Sequence, residues 1–343
     1  MRTRAGIVSA TVGARLRGRT VTAPLRAAEP GETSVTVTGA DPENARVQSS
    51  FSVTVLRPVG GLFDIELQFL SAVPPTHEAT FQAAAAWWES TLAETELADV
   101  RFSAGQRTCS DTPQLSEAQT IDDLLILVSV VEIDGPGGTL GSAGPCLIRT
   151  SSLLPILGRM RFDVADFDRM ERTGDLFELV LHEMAHVLGL GTLWERHGQL
   201  RNPSTAGVSR DTHFAGRAAI EAFDEAGGTA YTGGGKVPVE NSTGLRGSDN
   251  SHWRASVFGN ELMVAFQKSG IREPMSAITI RSLTDLGYAV NLDLAEPYRL
   301  PLAGARAAPD PDHVIFLGDD ILREPIHVVD SEGRTVRVIG SDR

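Results

Sequence analysis

Polar and apolar residues alternate with a period of two through "TSVTVTGADPENARVQSSFSVTVL", and the turn-rich "GADPEN" splits the two runs. Such alternation sends successive side chains to opposite faces, so two or three half-buried strands are predicted before residue 58. That is too few to close a sandwich, and the segment reads as part of one, followed by the linker "RPVGG". "LFDIELQFL" begins a new unit as a strand. "THEATFQAAAAWWESTLA" has apolar residues at helical spacing, with Thr76 placed to cap it. "DDLLILVSVVEI" is a buried-strand run, "DGPGGTLGSAGPC" a long Gly/Pro loop and "GRMRFDVADFD" another strand. A helix is predicted from about Asp175 to Leu188, capped by Thr173 or Asp175 and ended by Gly189. Helical spacing returns in "GRAAIEAFDEAGG" and "SAITIRSLTDLGYAV", and the chain after about residue 296 is Pro-rich and then β-like. Strand, long helix, strands and a further helix in that order predict an α+β domain.

Composition narrows the function. A chain of 343 residues has room for one large catalytic domain and a smaller module, and its 41% apolar content is that of an ordinary globular protein. The net charge is −13, from 31 basic and 44 acidic residues, and no Lys/Arg run is long enough to form a patch. Nucleic acid and anionic membrane surfaces are therefore poor partners. No apolar stretch approaches the roughly 18 residues of a membrane span. The opening "MRTRAGIVSATVGARLRG" lacks the apolar core of a secretory signal. Either the protein stays in the cytoplasm, or the chain starts downstream of its natural beginning. Cys109 and Cys146 are the only cysteines. They read either as two buried thiols or as one disulfide, which would imply an oxidising compartment.

The chemistry concentrates in "LVLHEMAHVLGLGTLWERHG". His182 and His186 are four residues apart, so on a helix they share one face and can hold one tetrahedral zinc ion. Glu183 is offset by about 100° from His182, out of line with the pair but able to lean over a water on the metal. That is the position of a general base: the metal acidifies the water, Glu183 takes its proton and can return it to the leaving amine. Two histidines and a glutamate on an otherwise apolar helix would be costly without a metal.

The third ligand is not in its usual place. In the H-E-x-x-H-x-x-G-x-x-H form a final histidine follows the glycine by three residues, and here that position is Thr192. A hydroxyl is a poor zinc ligand, so another residue must close the site. His197, His213 and His252 are the candidates downstream. His197 lies in a charged loop and His213 starts a helical patch, whereas small, flexible residues precede His252 and would let a loop fold back. Met263, in "NELM", could form a turn beneath the metal, with Met275 as a rival. Trp194 and Trp253 read as packing walls. Asp163, Asp166 and Asp168 could bind calcium, but they lack the glycine and terminal glutamate of an EF-hand loop and read as a solvated or capping cluster.

Taken together, "HEMAHVLGLGTLW", "HW" 66 residues after His186, "NELM" and "ITIRSLTDLGY" resemble the leishmanolysin family of metzincin metallopeptidases, over roughly residues 62–292. The resemblance implies His182, His186 and His252 as ligands of one catalytic Zn²⁺ with a fourth corner free for water. It also implies Glu183 as the base, Met263 as the turn methionine with Gly189 in support, and a protein or peptide substrate. The paucity of cysteine is closer to the bacterial branch, and no cysteine-switch propeptide is visible. The implied fold is a zincin catalytic domain over 62–292, preceded by a partial immunoglobulin- or cadherin-like segment over 1–58 and followed by a tail over 296–343. Proteolysis inside the cytoplasm would threaten the host. Export, a missing upstream signal, a Cys109–Cys146 bond and cell-surface association through the β-rich N-terminus are the expectations. The alternative is an extracellular adhesion or carbohydrate-binding protein that keeps the fold without the activity.

Overall fold

The computed structural model describes residues 63–205, 210–244, 247–302, 314–317 and 319–340, together with the backbone of four strands between residues 8 and 55. Those four form two separate antiparallel hairpins, β1 (Val8–Leu16) with β2 (Arg19–Ala27) and β3 (Gly31–Ala40) with β4 (Arg46–Val55). The second hairpin is the pair predicted around "GADPEN"; with the first, residues before 58 hold four strands where two or three were predicted.

The rest is a mixed α+β unit. In chain order it contains β5 (Ile65–Phe69), α1 (Pro75–Thr91), the small hairpin β6 (Val100–Phe102) and β7 (Gln119–Ile121), β8 (Leu124–Val131), β9 (Gly141–Arg149), β10 (Pro155–Asp163), α2 (Val164–Thr173) and α3 (Leu176–Leu188). Three short strands follow as a small sheet, β11 (Leu200–Arg201), β12 (His213–Phe214) and β13 (Val237–Pro238), interleaved with α4 (Arg217–Glu225) and α5 (Thr229–Thr232). The chain ends with α6 (Ala255–Phe258), β14 (Phe266–Lys268), α7 (Ala277–Leu286), β15 (Val314–Phe316), β16 (Ile326–Val329) and β17 (Thr335–Ile339).

Six strands build the main sheet in the order β17-β16-β9-β10-β8-β5. β5, β8 and β10 are parallel; β9 runs against β10, and β16 lies parallel to β9. The uniform apolar run of β8 follows from its place inside this sheet. Leu124, Ile126 and Val128 point into the core beneath α1 and α3, while Leu125 and Leu127 point into a second cluster with Phe102, Cys146 and Leu157. With both faces covered, a strand has no polar side to alternate with. Trp88 of α1 donates its indole N–H to the Leu181 carbonyl at 3.2 Å, which locks α1 against the helix that carries the site. No described helix is long and apolar enough to cross a membrane.

Several local expectations change. α1 starts at Pro75 with Pro74 at its cap position and no side-chain cap, so Thr76 lies inside the first turn. Asp175 precedes α3 but does not cap it; its carboxylate accepts instead from Ser269 Oγ and the Gly270 N–H, both at 2.8 Å. Half of the expected Gly/Pro loop is strand β9, buried along its whole length. The strand "GRMRFDVADFD" stops at Asp163, whose carboxylate caps α2 through Ala165 N–H. The tail is no appendage: β16 and β17 extend the main sheet, and β15 pairs with β14. Cys109 and Cys146 are joined by a disulfide that ties the loop before β7 to β9.

Candidate metal centre and base

α3 is apolar on nearly every side, and His182, Glu183 and His186 are all buried within it. The helix ends on Gly189, whose φ of 112° is a left-handed cap that costs a glycine nothing. Two residues on, Gly191 passes so close to the next ligand loop that a Cβ would stand 2.2 Å from the Ser251 carbonyl oxygen. Thr192, in the usual place of a third histidine, donates its hydroxyl to the His186 carbonyl at 2.7 Å and finishes the helix.

His252 arrives on a clamped loop. Glu240 N–H donates to the His252 carbonyl at 2.8 Å, and Trp253 N–H donates to Met263 O at 3.0 Å. The Trp253 ring stacks on Trp194 with centroids 4.6 Å apart, so both tryptophans are walls that hold this loop against the chain leaving α3. The result is a cage in which the Nε2 atoms of His182, His186 and His252 lie 3.0–3.1 Å from one another. His197 is half-buried elsewhere, and His213 faces the Asp211 carbonyl at 2.8 Å; neither joins the cage.

The outer nitrogens decide what the cage can hold. Nδ1 of His182 meets Leu262 O at 2.6 Å, Nδ1 of His186 meets Leu190 O at 2.8 Å, and Nδ1 of His252 meets Ser248 O at 3.1 Å. Each carbonyl can only accept, so each Nδ1 carries the ring proton and each Nε2 presents a lone pair inward. Three lone pairs facing one another repel unless a cation sits among them.

A fourth group closes the cage. Asp320, wholly buried, places Oδ2 3.0 Å from His252 Nε2, 3.4 Å from His182 Nε2 and 3.9 Å from His186 Nε2. Neither carboxylate oxygen has another hydrogen-bond partner among the described residues. Burial opposes its ionisation, but the neighbouring imidazoles, His252 foremost, hold its carboxyl well below the usual range. Burial lowers His182 and, more strongly, His186. For His252 burial also pulls downward, but Asp320 outweighs it and raises the imidazole. One proton on His252 satisfies one pair and leaves two lone pairs opposed; a divalent cation satisfies all four groups at once. Three imidazoles and a carboxylate are a donor set suited to zinc.

The open fourth corner is therefore a correction: a carboxylate from the C-terminal segment lies against it. The only trace of this in the sequence is an acidic pair inside an apolar run, "VIFLGDDIL".

Glu183 stands beside the cage, and neither of its carboxyl oxygens has a hydrogen-bond partner among the described residues. Burial, and then the charge of Asp320, push its carboxyl well above the usual range. Gly141, the first residue of β9, makes room for it: a Cβ there would lie 3.1 Å from the carboxyl carbon and from Oε1.

Met263 is buried in the turn after Leu262, whose carbonyl orients His182. Glu261 holds this turn, accepting from Met263 N–H at 2.7 Å, Ser276 Oγ at 2.7 Å and Thr279 Oγ1 at 2.5 Å. Burial nonetheless pushes its carboxyl upward. Met275 is buried as well, but its N–H donates to Glu296, away from this turn. Asp163 accepts from three consecutive N–H groups, Ile133 to Gly135, and Asp166 accepts from Gly137 N–H and Arg169. Those two carboxylates organise a loop, and Asp168 is exposed, 3.8 Å from His77.

The sequence profile of the leishmanolysin peptidases matches residues 105–301, more than half of the chain. The chain belongs to the leishmanolysin family. That places a metallopeptidase domain over the two ligand-bearing segments, and a zinc dependence on the family to which it belongs. No individually curated protein matches this leishmanolysin-family chain. The matched stretch stops short of Asp320, so the carboxylate in the cage belongs to a part of the chain that the family profile does not cover.

Proposed function

We propose that the chain is a zinc-dependent endopeptidase of metzincin type, with His182, His186 and His252 as metal ligands, Glu183 as general base and Met263 as the turn methionine. The observation that carries this is Glu183: a wholly buried carboxyl group with no hydrogen-bond partner among the described residues, next to a cage of inward lone pairs. A buried carboxylate without a partner is expensive, and it has no structural employment here. A zinc ion held by the three imidazoles would polarise the scissile carbonyl and acidify an adjacent water. Glu183 removes a proton from that water as its oxygen bonds to the carbonyl carbon. The same proton then passes to the amine nitrogen as the C–N bond breaks. The outer carbonyls of Leu262, Leu190 and Ser248 keep the three rings in the tautomer this requires.

The test is Glu183→Ala, assayed for zinc content and for cleavage of casein, both alone and in an Asp320→Ala background. Retained zinc with lost cleavage is expected; cleavage that survives would remove the mechanism. A second reading is favoured by Asp320: a catalytically silent extracellular binding protein with a closed four-ligand site. It predicts zinc without casein cleavage in every background, and it leaves the unpartnered Glu183 without a purpose.

The same reading places the protein outside the cell, in the bacterial branch of the family. The disulfide supports an oxidising compartment. Residues 1–58, with their two hairpins, are then part of an immunoglobulin- or cadherin-like module for surface association.

A further inference from the structure

The segment around Asp320 does more than lend one carboxylate. β9 runs from Gly141, which abuts the Glu183 carboxyl, and its far edge faces away from β10. An extended peptide gains main-chain hydrogen bonds by adding to such an edge, and at this edge its carbonyls would pass the base. The chain's own residues already occupy it. Ala143 N–H donates to Asp320 O at 2.7 Å, and Leu322 N–H donates to Ala143 O at 2.8 Å, in parallel pairing. Both edge-facing groups of Ala143 are thereby used. Gly144 leaves space for Leu322, whose Cβ would stand 3.3 Å from a Cβ at that position.

The segment is anchored on both sides. Upstream, β15 pairs with β14 and Leu317 N–H donates to Ala265 O at 3.3 Å. Downstream, Glu324 meets Arg159 at 3.0 Å and Ser110 N–H at 2.7 Å, before β16 pairs with β9. Outside the cage the Asp320 carboxylate has no hydrogen-bond partner among the described residues, so neither capping nor loop-building by those residues explains why it is buried there.

Building on the peptidase reading above, we propose that residues Asp319–Leu322 are an intramolecular occupant of the active cleft. They pair with Ala143 where a peptide strand would pair, and they seat Asp320 in the corner of the histidine cage where water would enter. Strap and substrate exclude each other, and the strapped chain is latent. The strap's edge pairing at Ala143 rests on two backbone hydrogen bonds, so it can be displaced while the histidine frame stays intact.

Asp320→Ala and Leu322→Pro test this in the full chain. The first removes the carboxylate; the second removes the N–H that reaches Ala143 without altering any cage residue. The probes are the visible spectrum of the cobalt-substituted protein and calorimetric binding of a peptide hydroxamate to the zinc protein. Asp320→Ala should retain one metal ion per chain and change the cobalt spectrum. Both variants should bind the hydroxamate more tightly, by about tenfold if the strap is closed about nine-tenths of the time. In the unaltered zinc protein, added hydroxamate should speed hydrogen exchange at Leu322 N–H, a measurement that stands even if a variant fails to fold. An unchanged cobalt spectrum, unchanged hydroxamate affinity or undisturbed Leu322 exchange overturns the strap. Metal lost with Asp320→Ala, and no gain in hydroxamate binding, overturns it by making Asp320 a permanent ligand. Failure of the unaltered chain and of both variants to bind zinc would instead sink the peptidase reading beneath it.

Discussion

Helix α3 and the strap Asp319–Leu322 meet at the same four side chains, and they reach them differently. The helix presents His182 and His186 by its own geometry, one turn apart, on a body packed by Trp88, Leu179, Met184 and Val187. The strap presents Asp320 only because distant strands, β14 and β9, hold the chain on either side of it. A ligand built on a packed helix is a fixed part of the fold, whereas one hung between edge pairings can leave without unfolding anything else. The lesson is that four groups facing one point need not be equal members of a site.

Removing His252 should break this comparison most sharply. It arrives on a loop, as Asp320 does, yet it is clamped by Glu240, Trp253 and Ser248. His252→Ala is expected to lower zinc affinity beyond the roughly 10–100-fold typical of a lost outer-shell partner, measured by competition with a chromogenic chelator. Loss as small as that of Asp320→Ala would put His252 with the strap rather than with the frame. Glu261→Gln comes next. It disturbs the turn whose Leu262 carbonyl orients His182, and should cost about 10–100-fold in zinc affinity by the same assay. Gly141→Ala sharpens the comparison from the other side: the three atoms nearest its Cβ all belong to the Glu183 side chain. Zinc affinity should hold while kcat in an Asp320→Ala background falls by roughly tenfold, a modest part of what a general base contributes.

The smallest effect concerns pH. Burial pushes the Glu178 carboxyl, near the start of α3, up to about 7 against the pull of Arg272. The folded chain then holds a proton that the unfolded chain has lost, so stability falls as pH rises from the ordinary carboxylate range through about 7. Glu178→Gln should flatten that slope in urea unfolding midpoints compared at about pH 5 and about pH 8, where the carboxyl has crossed its transition. An unchanged slope would show that this carboxyl does not set it.

Much of the frame was legible because its signals are local. His182 and His186 announce a shared face by spacing, Gly189 by its place after the last turn, and α7 by the helical spacing of "SAITIRSLTDLGYAV". β9 was hidden because glycine, proline and cysteine are the residues of loops. Here Gly141 and Gly144 serve close approach to Glu183 and Leu322 instead. α2 was hidden because Asp163, read as part of an acidic strand end, is its cap. His252 became readable only through the leishmanolysin resemblance, since the residues alone left His197 and His213 open. Asp320 carried almost no signal: an aspartate's meaning depends on what faces it, and what faces it lies on segments tens of residues away.

The bridge from Cys109 to Cys146 gives the strap a dependence on its surroundings. It fixes Ser110, one residue along, whose N–H holds Glu324 and whose carbonyl accepts from Arg159. Opening the bridge frees that floor and leaves the three imidazoles with every one of their own supports. A preparation kept in reductant is therefore expected to show faster hydroxamate association than an oxidised one at equal zinc content. Resting activity would then record where the molecule has been.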